Sequence, residues 1–150
     1  LISVRTATKD DAKTLAEMGL PFIAYSDYGP FVTPSLPEMQ QALERMMDIG
    51  VVFAAEDDGR IVGGIAAVIT SPWMSPSTKV AAEMAWWLNE EYRGGRTAFR
   101  LLDAFEEWAR SQKADIIVLS DLVINGDTPI GKMVSRLGYT LVERSHVKKA

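Results

Sequence analysis

Along this chain the spacing of apolar positions switches between every second residue and every third or fourth, and each switch marks an element. Ile2 to Thr6 alternates apolar and polar side chains, the pattern of a short strand. Asp10 or Asp11 is placed to cap a helix carrying Ala12, Leu15, Ala16 and Met18, and Gly19 to end it. Leu20 to Pro37 mixes proline, glycine and the aromatics Phe22, Tyr25, Tyr28 and Phe31. That stretch reads as loop or interrupted helix, either lining a groove or pinned down by its own aromatics. Ser35 caps a second helix with Pro37 in its first turn; Met39, Ala42, Leu43, Met46 and Met47 form its apolar stripe, and Gly50 ends it.

Asp57-Asp58-Gly59, between the apolar runs 51–56 and 60–70, signals a β-hairpin. Its two aspartates are turn residues rather than a metal pair. A loop over 71–79, with Trp73 in it, leads to the mostly apolar segment 80–88, a strand. Beyond a glycine-containing turn, Ala98, Leu101, Leu102, Phe105, Trp108 and Ala109 recur at helical spacing. Asp115 to Ser120 encloses Ile-Ile-Val-Leu, the continuous run of a strand buried on both faces. Thr128-Pro129 opens a last helix with Ile130, Met133, Val134 and Leu137, closed by Gly138; Tyr139 to Val142 and Val147 suggest a final strand or hairpin. This order, β-α-α-β-β-β-α-β-α-β, predicts an α+β fold on one mixed sheet, and no break in composition divides residues 1–150 into more than one domain.

Composition narrows the chemistry. An apolar share of 47% with 24% charged residues over 150 positions is that of an ordinary globular domain. The longest apolar run, Ile61 to Ile69, is too short to span a bilayer, and no signal-peptide pattern opens the chain, so no membrane is expected and cytoplasm is the expected compartment. A net charge of −4 speaks against nucleic acid as the main partner. The absence of cysteine removes disulfides, a thiolate nucleophile and cysteine-based zinc sites, and no metal is expected. The one histidine, His146, has no Gly-x-Ser-x-Gly nucleophile elbow to serve.

The turn Tyr92-Arg93-Gly94-Gly95-Arg96-Thr97-Ala98 is the most informative stretch. Two glycines and two arginines at a helix start offer free backbone N–H groups, the positive end of a helix dipole and two guanidinium forks. These are the parts of a phosphate or pyrophosphate site; the alternative is a tight connection with solvated arginines. Neither Gly-x-Gly-x-x-Gly nor Gly-x-x-x-x-Gly-Lys-Ser/Thr occurs, which removes the signatures of dinucleotide oxidoreductases and P-loop NTPases.

With these residues in place, the chain resembles the GNAT superfamily of acyl-CoA-dependent N-acetyltransferases over essentially its whole length. Arg93-Gly94-Gly95-Arg96-Thr97-Ala98 fills the family's Arg/Gln-x-x-Gly-x-Gly/Ala, preceded by Glu91-Tyr92, and Leu137-Gly138-Tyr139 is similar to the family's closing Leu-Gly-Phe/Tyr. Arg96 departs from the pattern by standing where the first glycine is usual; with a Cβ it cannot freely adopt positive φ, but it can offer a guanidinium to a pyrophosphate. The resemblance implies a mixed, mostly antiparallel twisted sheet of about six to seven strands flanked by about four helices. It also implies acetyl-CoA as cosubstrate, held by Leu88, Arg93, Gly94, Gly95, Arg96, Thr97 and Ala98. The acceptor is a small-molecule or peptide amine, and a homodimer is a family-level expectation.

Transfer to an amine needs a neutral nitrogen, a polarised carbonyl and a proton for the leaving thiolate. Glu83, ionisable within an apolar strand, is the candidate base; burial raises a carboxylate toward the useful range. The competing reading is a structural carboxylate paired with an arginine such as Arg100. The resemblance assigns the oxyanion contact to the backbone N–H of Leu88. Asn125 is placed either to hydrogen-bond the pantetheine or a water, or simply to make a turn. Val134 occupies the place where many relatives have a tyrosine acid, leaving Ser135, Tyr139 or water. Phe22, Tyr25, Tyr28, Phe31 and Trp73, with few charges beyond Asp27, suggest an aromatic acceptor side. A GNAT-like module that binds coenzyme A or a protein without turnover is the alternative function.

Overall fold

The computed structural model describes all 150 residues. Strands β1 (Ile2–Thr6), β2 (Gly50–Asp57), β3 (Arg60–Thr70), β4 (Val80–Leu88) and β5 (Ile116–Val118) form one sheet in the order β1-β2-β3-β4-β5. The first four are antiparallel neighbours; β5 runs parallel to β4. The hairpin between β2 and β3 turns at Asp58 (φ 49°) and Gly59 (φ 82°), two left-handed residues as a type I′ turn requires. No helix is long and apolar enough to cross a membrane.

Helices α1 (Ala12–Tyr25) and α2 (Leu36–Ile49) cover one face, where Leu15, Ala16 and Leu43 meet Val52, Ala54, Ala66 and Trp87. Helix α3 (Arg96–Ser111) covers the other with Leu101, Leu102, Phe105 and Ala109 against Val51, Val62, Ile65 and Leu88. Helix α4 (Gly131–Arg136) is a short final piece. Helix α2 starts as its sequence dictates, the Ser35 hydroxyl accepting the Glu38 N–H while the Glu38 carboxylate accepts the Ser35 N–H.

Three expectations are corrected. Gly19 does not end α1, which continues through Pro21 to Tyr25. Instead Gly19 is a point of close helix approach: a Cβ there would lie 2.7 Å from Cε of Met39 on α2. The sheet has five strands rather than six to seven, because Tyr139–Ala150 forms no strand and residues 140–150 are exposed. In that tail Leu141, Val142 and Val147 are outnumbered by charged and polar neighbours, too little apolar surface to secure a strand. The run 115–120 is not buried on both faces; β5 is a three-residue edge strand with Ile116 47% and Val118 39% exposed.

Two irregularities shape the space beside β4. Ala66 faces Ala85 but Ala67 faces Glu83, so Met84 is an extra residue, a β-bulge. The bulge reverses the alternation of faces: Ala81 lies in the α3-side core, and beyond Met84 it is Trp86 and Leu88 that do so, while Ala85 and Trp87 face α1 and α2. The two neighbouring tryptophans thus serve opposite faces, as adjacent strand residues must. Parallel pairing of β4 with β5 covers only Val80 to Ala82. Strand β5 ends at Val118, so from Glu83 onward no strand borders β4 on that side, and this open edge of the sheet forms a cleft.

Candidate active site

Glu83 sits where the strands separate. It is 7% exposed, and its Oε1 accepts the backbone N–H of Ser120 at 3.0 Å, just past the end of β5. Burial pushes its carboxyl up to about 7, against the opposing pull of the Ser120 hydrogen bond. The expected alternative partner is elsewhere: Arg100 donates to the carbonyl of Ile2 on β1. Glu83 takes part in no ion pair. A carboxyl without a counter-cation and titrating near neutrality can accept a proton there, which a salt-bridged one cannot.

Leu88 closes the same strand. The N–H of Asn89 donates to the carbonyl of Val62 on β3 at 2.9 Å. Backbone groups alternate sides along a strand, so those of Leu88 face away from β3, toward the cleft. Its carbonyl does so visibly, accepting Nε of Arg93 at 3.1 Å. The Leu88 N–H projects to that same side.

The turn after β4 is built around one left-handed residue, Gly94 (φ 77°), followed by Gly95 (φ −105°) as the N-cap of α3. Arg96 is the first helical residue, so its side chain costs the turn nothing: the conformation that needs a glycine falls on Gly94. No side chain caps α3. The amides of Gly94, Gly95, Arg96, Thr97 and Ala98 donate to no backbone acceptor, a run of N–H groups at the positive end of a sixteen-residue helix. Tyr92 anchors the turn to the β2–β3 hairpin, its hydroxyl donating to Asp57 Oδ2 at 2.7 Å.

The two arginines diverge. Arg96 is exposed and joins no ion pair. The guanidinium of Arg93, bonded to the Leu88 carbonyl, lies 5.6 Å from the ring centre of Phe22 and 5.2 Å from that of Tyr25. It therefore ties the end of α1 to the end of β4. Between them is a groove of about 510 Å³ lined by Glu17, Phe22, Tyr25, Leu88, Asn89 and Arg93, a volume in the range of small-molecule sites.

Of the remaining sequence candidates, Asn125 (φ 51°) and Gly126 (φ 76°) form a left-handed turn closed by a bridge between Ile124 and Asp127. Tyr139 lies beside Glu106 and Arg110, about 15 Å along α3 from its start, with burial pushing its phenol up to about 12. It is not near the turn. Tyr28 and Phe31 follow α1, both partly exposed. Trp73 is 87% exposed in the connection that enters β4 at Val80, the opposite end of the strand from Leu88, so the five aromatics do not gather into one wall. Sequence reasoning missed the Ser120 N–H, the Met84 bulge and the place of Glu17 in the lining of the groove. A backbone donor and a register shift leave no mark in residue type, and Glu17 reads as an ordinary solvated helix position.

Solved structures share this fold. Glucosamine-6-phosphate N-acetyltransferase from Arabidopsis thaliana superposes with a TM-score of 0.73 at 15% identity, over 99% of this chain and 98% of that one. Ribosomal-protein-alanine N-acetyltransferase from Brucella melitensis biovar Abortus 2308 gives 0.71 at 13% identity, over all of both chains. A predicted acetyltransferase from Clostridium acetobutylicum, solved with acetyl-CoA, gives 0.73 at 15% identity, over 99% of this chain and 96% of the other. At such identities the likeness concerns the fold. No curated protein sequence matches the chain at a significant level. A model of the acetyltransferase (GNAT) family matches residues 21–139. That span runs from the second half of α1 to Tyr139 and takes in the β4–β5 cleft and the glycine turn: the chain belongs to the acetyltransferase (GNAT) family.

Proposed function

We propose that this acetyltransferase moves the acetyl group of acetyl-CoA to a primary amine, of a small molecule or a peptide, by direct transfer in a ternary complex. Glu83 is the observation that carries the reading: a buried, unpaired carboxyl at the mouth of the cleft, titrating where an amine needs a base. In this reading the free amides of residues 94–98 and the Arg96 guanidinium receive the pyrophosphate, and Arg93 supports them from the α1 side. The Leu88 N–H receives the thioester carbonyl oxygen. Glu83 takes a proton from the amine, directly or through a water; the nitrogen attacks the carbonyl carbon, the C–S bond breaks, and solvent protonates the thiolate. Asn125, in the 124–127 turn, hydrogen-bonds the pantetheine or a water in this reading. Phe22 and Tyr25 favour a partly apolar amine or a peptide end.

Replacing Arg96 by alanine is expected to weaken acetyl-CoA binding about tenfold, the scale of one charge-assisted contact. Arg93→Ala is expected to do the same while also loosening the end of α1. Titration calorimetry with acetyl-CoA measures both, and unchanged affinity in the pair would remove the cradle from the reading. Val134 in α4, standing where the family resemblance implies a tyrosine in many members, favours a second reading: a module that binds coenzyme A or a protein without turnover. Thiol release from acetyl-CoA across a panel of amines separates the two.

A further inference from the structure

Three hydrogen bonds join the two walls of the cleft at its α1 side. The N–H of Asp27 donates to the carbonyl of Val123 at 2.9 Å. The Asp27 carboxylate accepts the N–H of Asn125 at Oδ1 (2.8 Å) and that of Gly126 at Oδ2 (3.0 Å). Asp27 follows α1, whose last turn is stacked on Arg93 and so fixed to the β4 wall. Residues 123–126 belong to the chain leaving β5, the opposite wall. The neighbouring residue holds the carboxylate in place: Ser26 is buried, its hydroxyl donating to the carbonyl of Ile23 at 2.8 Å and accepting the Tyr28 N–H at 3.3 Å. On the receiving side the two left-handed residues of the 124–127 turn present consecutive amides to one carboxylate.

We infer that Asp27 is a positioning residue that straps the acceptor side of the cleft closed, so that the thioester is handed to an amine rather than to water. This rests on the acetyltransferase reading. The chemistry gives such a strap a use. A base that deprotonates an amine also deprotonates water: the water oxygen then attacks the carbonyl carbon, the C–S bond breaks, and acetate and the coenzyme A thiol result, one proton going to the base and one to the sulfur. Nothing in Glu83 or the Leu88 amide discriminates between the two nucleophiles, so keeping bulk water from the acceptor face of the thioester carbon must, while the thiolate end stays open to solvent. Both oxygens of Asp27 are occupied by backbone amides, which marks it as a fastener rather than a substrate ligand. The three bonds are on the surface, where a strap can open for an acceptor without disturbing the core.

The test compares wild type, Asp27→Ala and Asp27→Asn in two measurements on the whole chain. Amide exchange reads the strap itself: in Asp27→Ala the Asn125 and Gly126 amides are expected to exchange at least tenfold faster, and in Asp27→Asn, which keeps one acceptor oxygen, to fall between. Thiol release from acetyl-CoA with no amine present reads the shielding, and is expected to rise several-fold in Asp27→Ala. Unchanged exchange at 125 and 126 would overturn the strap. Faster exchange with unchanged hydrolysis, in a wild type shown by calorimetry to bind acetyl-CoA, would overturn its shielding role alone. A wild type that binds no acetyl-CoA would bring down the acetyltransferase reading and this inference with it. If Asp27→Ala fails to fold, Asp27→Asn decides on the same two readouts.

Discussion

Glu83→Gln is expected to lower acetyl transfer by about 10²- to 10⁴-fold, the usual contribution of a positioned general base. The same substitution is expected to make the protein more stable above neutral pH. Both effects come from one circumstance, a carboxyl held near 7 by burial rather than by a partner. For activity, the competent form is the carboxylate, so the wild-type rate rises as pH passes through about 7 and the variant lacks that limb. For stability the direction is opposite. The folded carboxyl titrates near 7 against an ordinary value of 4.5, so below pH 4.5 it is protonated in both states and costs nothing. Between 4.5 and 7 the unfolded chain releases the proton first and stability falls; above 7 the loss levels off at about 3 kcal/mol, at about 1.4 kcal/mol per pKa unit. Glutamine keeps an oxygen for the Ser120 N–H and removes the charge, so its unfolding free energy is expected to stay flat over that window. Urea melts from pH 4 to 8, paired with pH–rate profiles, measure both halves. A variant that loses activity and stability together would point to a structural carboxylate.

Phe105→Ala is expected to cost about 3–5 kcal/mol, the range for deleting a fully buried aromatic. Phe105 is the largest side chain in the interior with no exposed surface, seated between α3 and the sheet beside Trp108, ring centres 6.4 Å apart. Its neighbours Leu101, Leu102 and Val62 come from a rigid helix and a central strand, so the vacated space cannot readily collapse. Phe105→Leu keeps most of the volume and is expected to cost well under half as much. The functional consequence is specific to this fold. The helix that Phe105 docks also carries the amides of residues 96–98 at its start, so acetyl-CoA affinity is expected to fall in the alanine variant even at temperatures where it remains folded. Urea denaturation and calorimetry measure the two losses separately; full affinity in a destabilised Phe105→Ala would show that the turn holds its shape without the helix seated.

Much of the architecture was legible because local chemistry and tertiary packing agree. The capping box at Ser35, the Asp58-Gly59 turn and the α3 stripe each appear where residue type alone predicts them. Glu83 was legible for a similar reason: one carboxylate in an apolar strand is conspicuous. Where the reading failed, an element's fate depended on what lies against it. Gly19 carries the signature of a stop, yet the helix runs on past it, with Met39 packed where a Cβ would lie. The 115–120 run carries the signature of a central strand, yet only β4 borders it. Arg96 looked like a defect in the glycine turn because the motif cannot say which residue bears the left-handed φ; Gly94 does. Asp27 was the least legible of all, since a loop aspartate carries no hint that its partners are amides about a hundred positions away.

The extra residue at Met84 means that β4 is written in two reading frames. Upstream, odd-numbered positions look toward α3; downstream, even-numbered ones do. Adjacent bulky residues at 86 and 87 are tolerable because the two faces they point to are both covered by helices. A strand written this way is intolerant of an added residue in a manner that point substitution does not reveal. Removing the single, largely exposed Met84 would join the two frames and leave Trp86, Trp87 and Leu88 on their present faces, because Ala85 already stands opposite Ala66. One residue added after Ala85 would instead turn all three onto the wrong faces together and rotate the Leu88 amide out of the cleft.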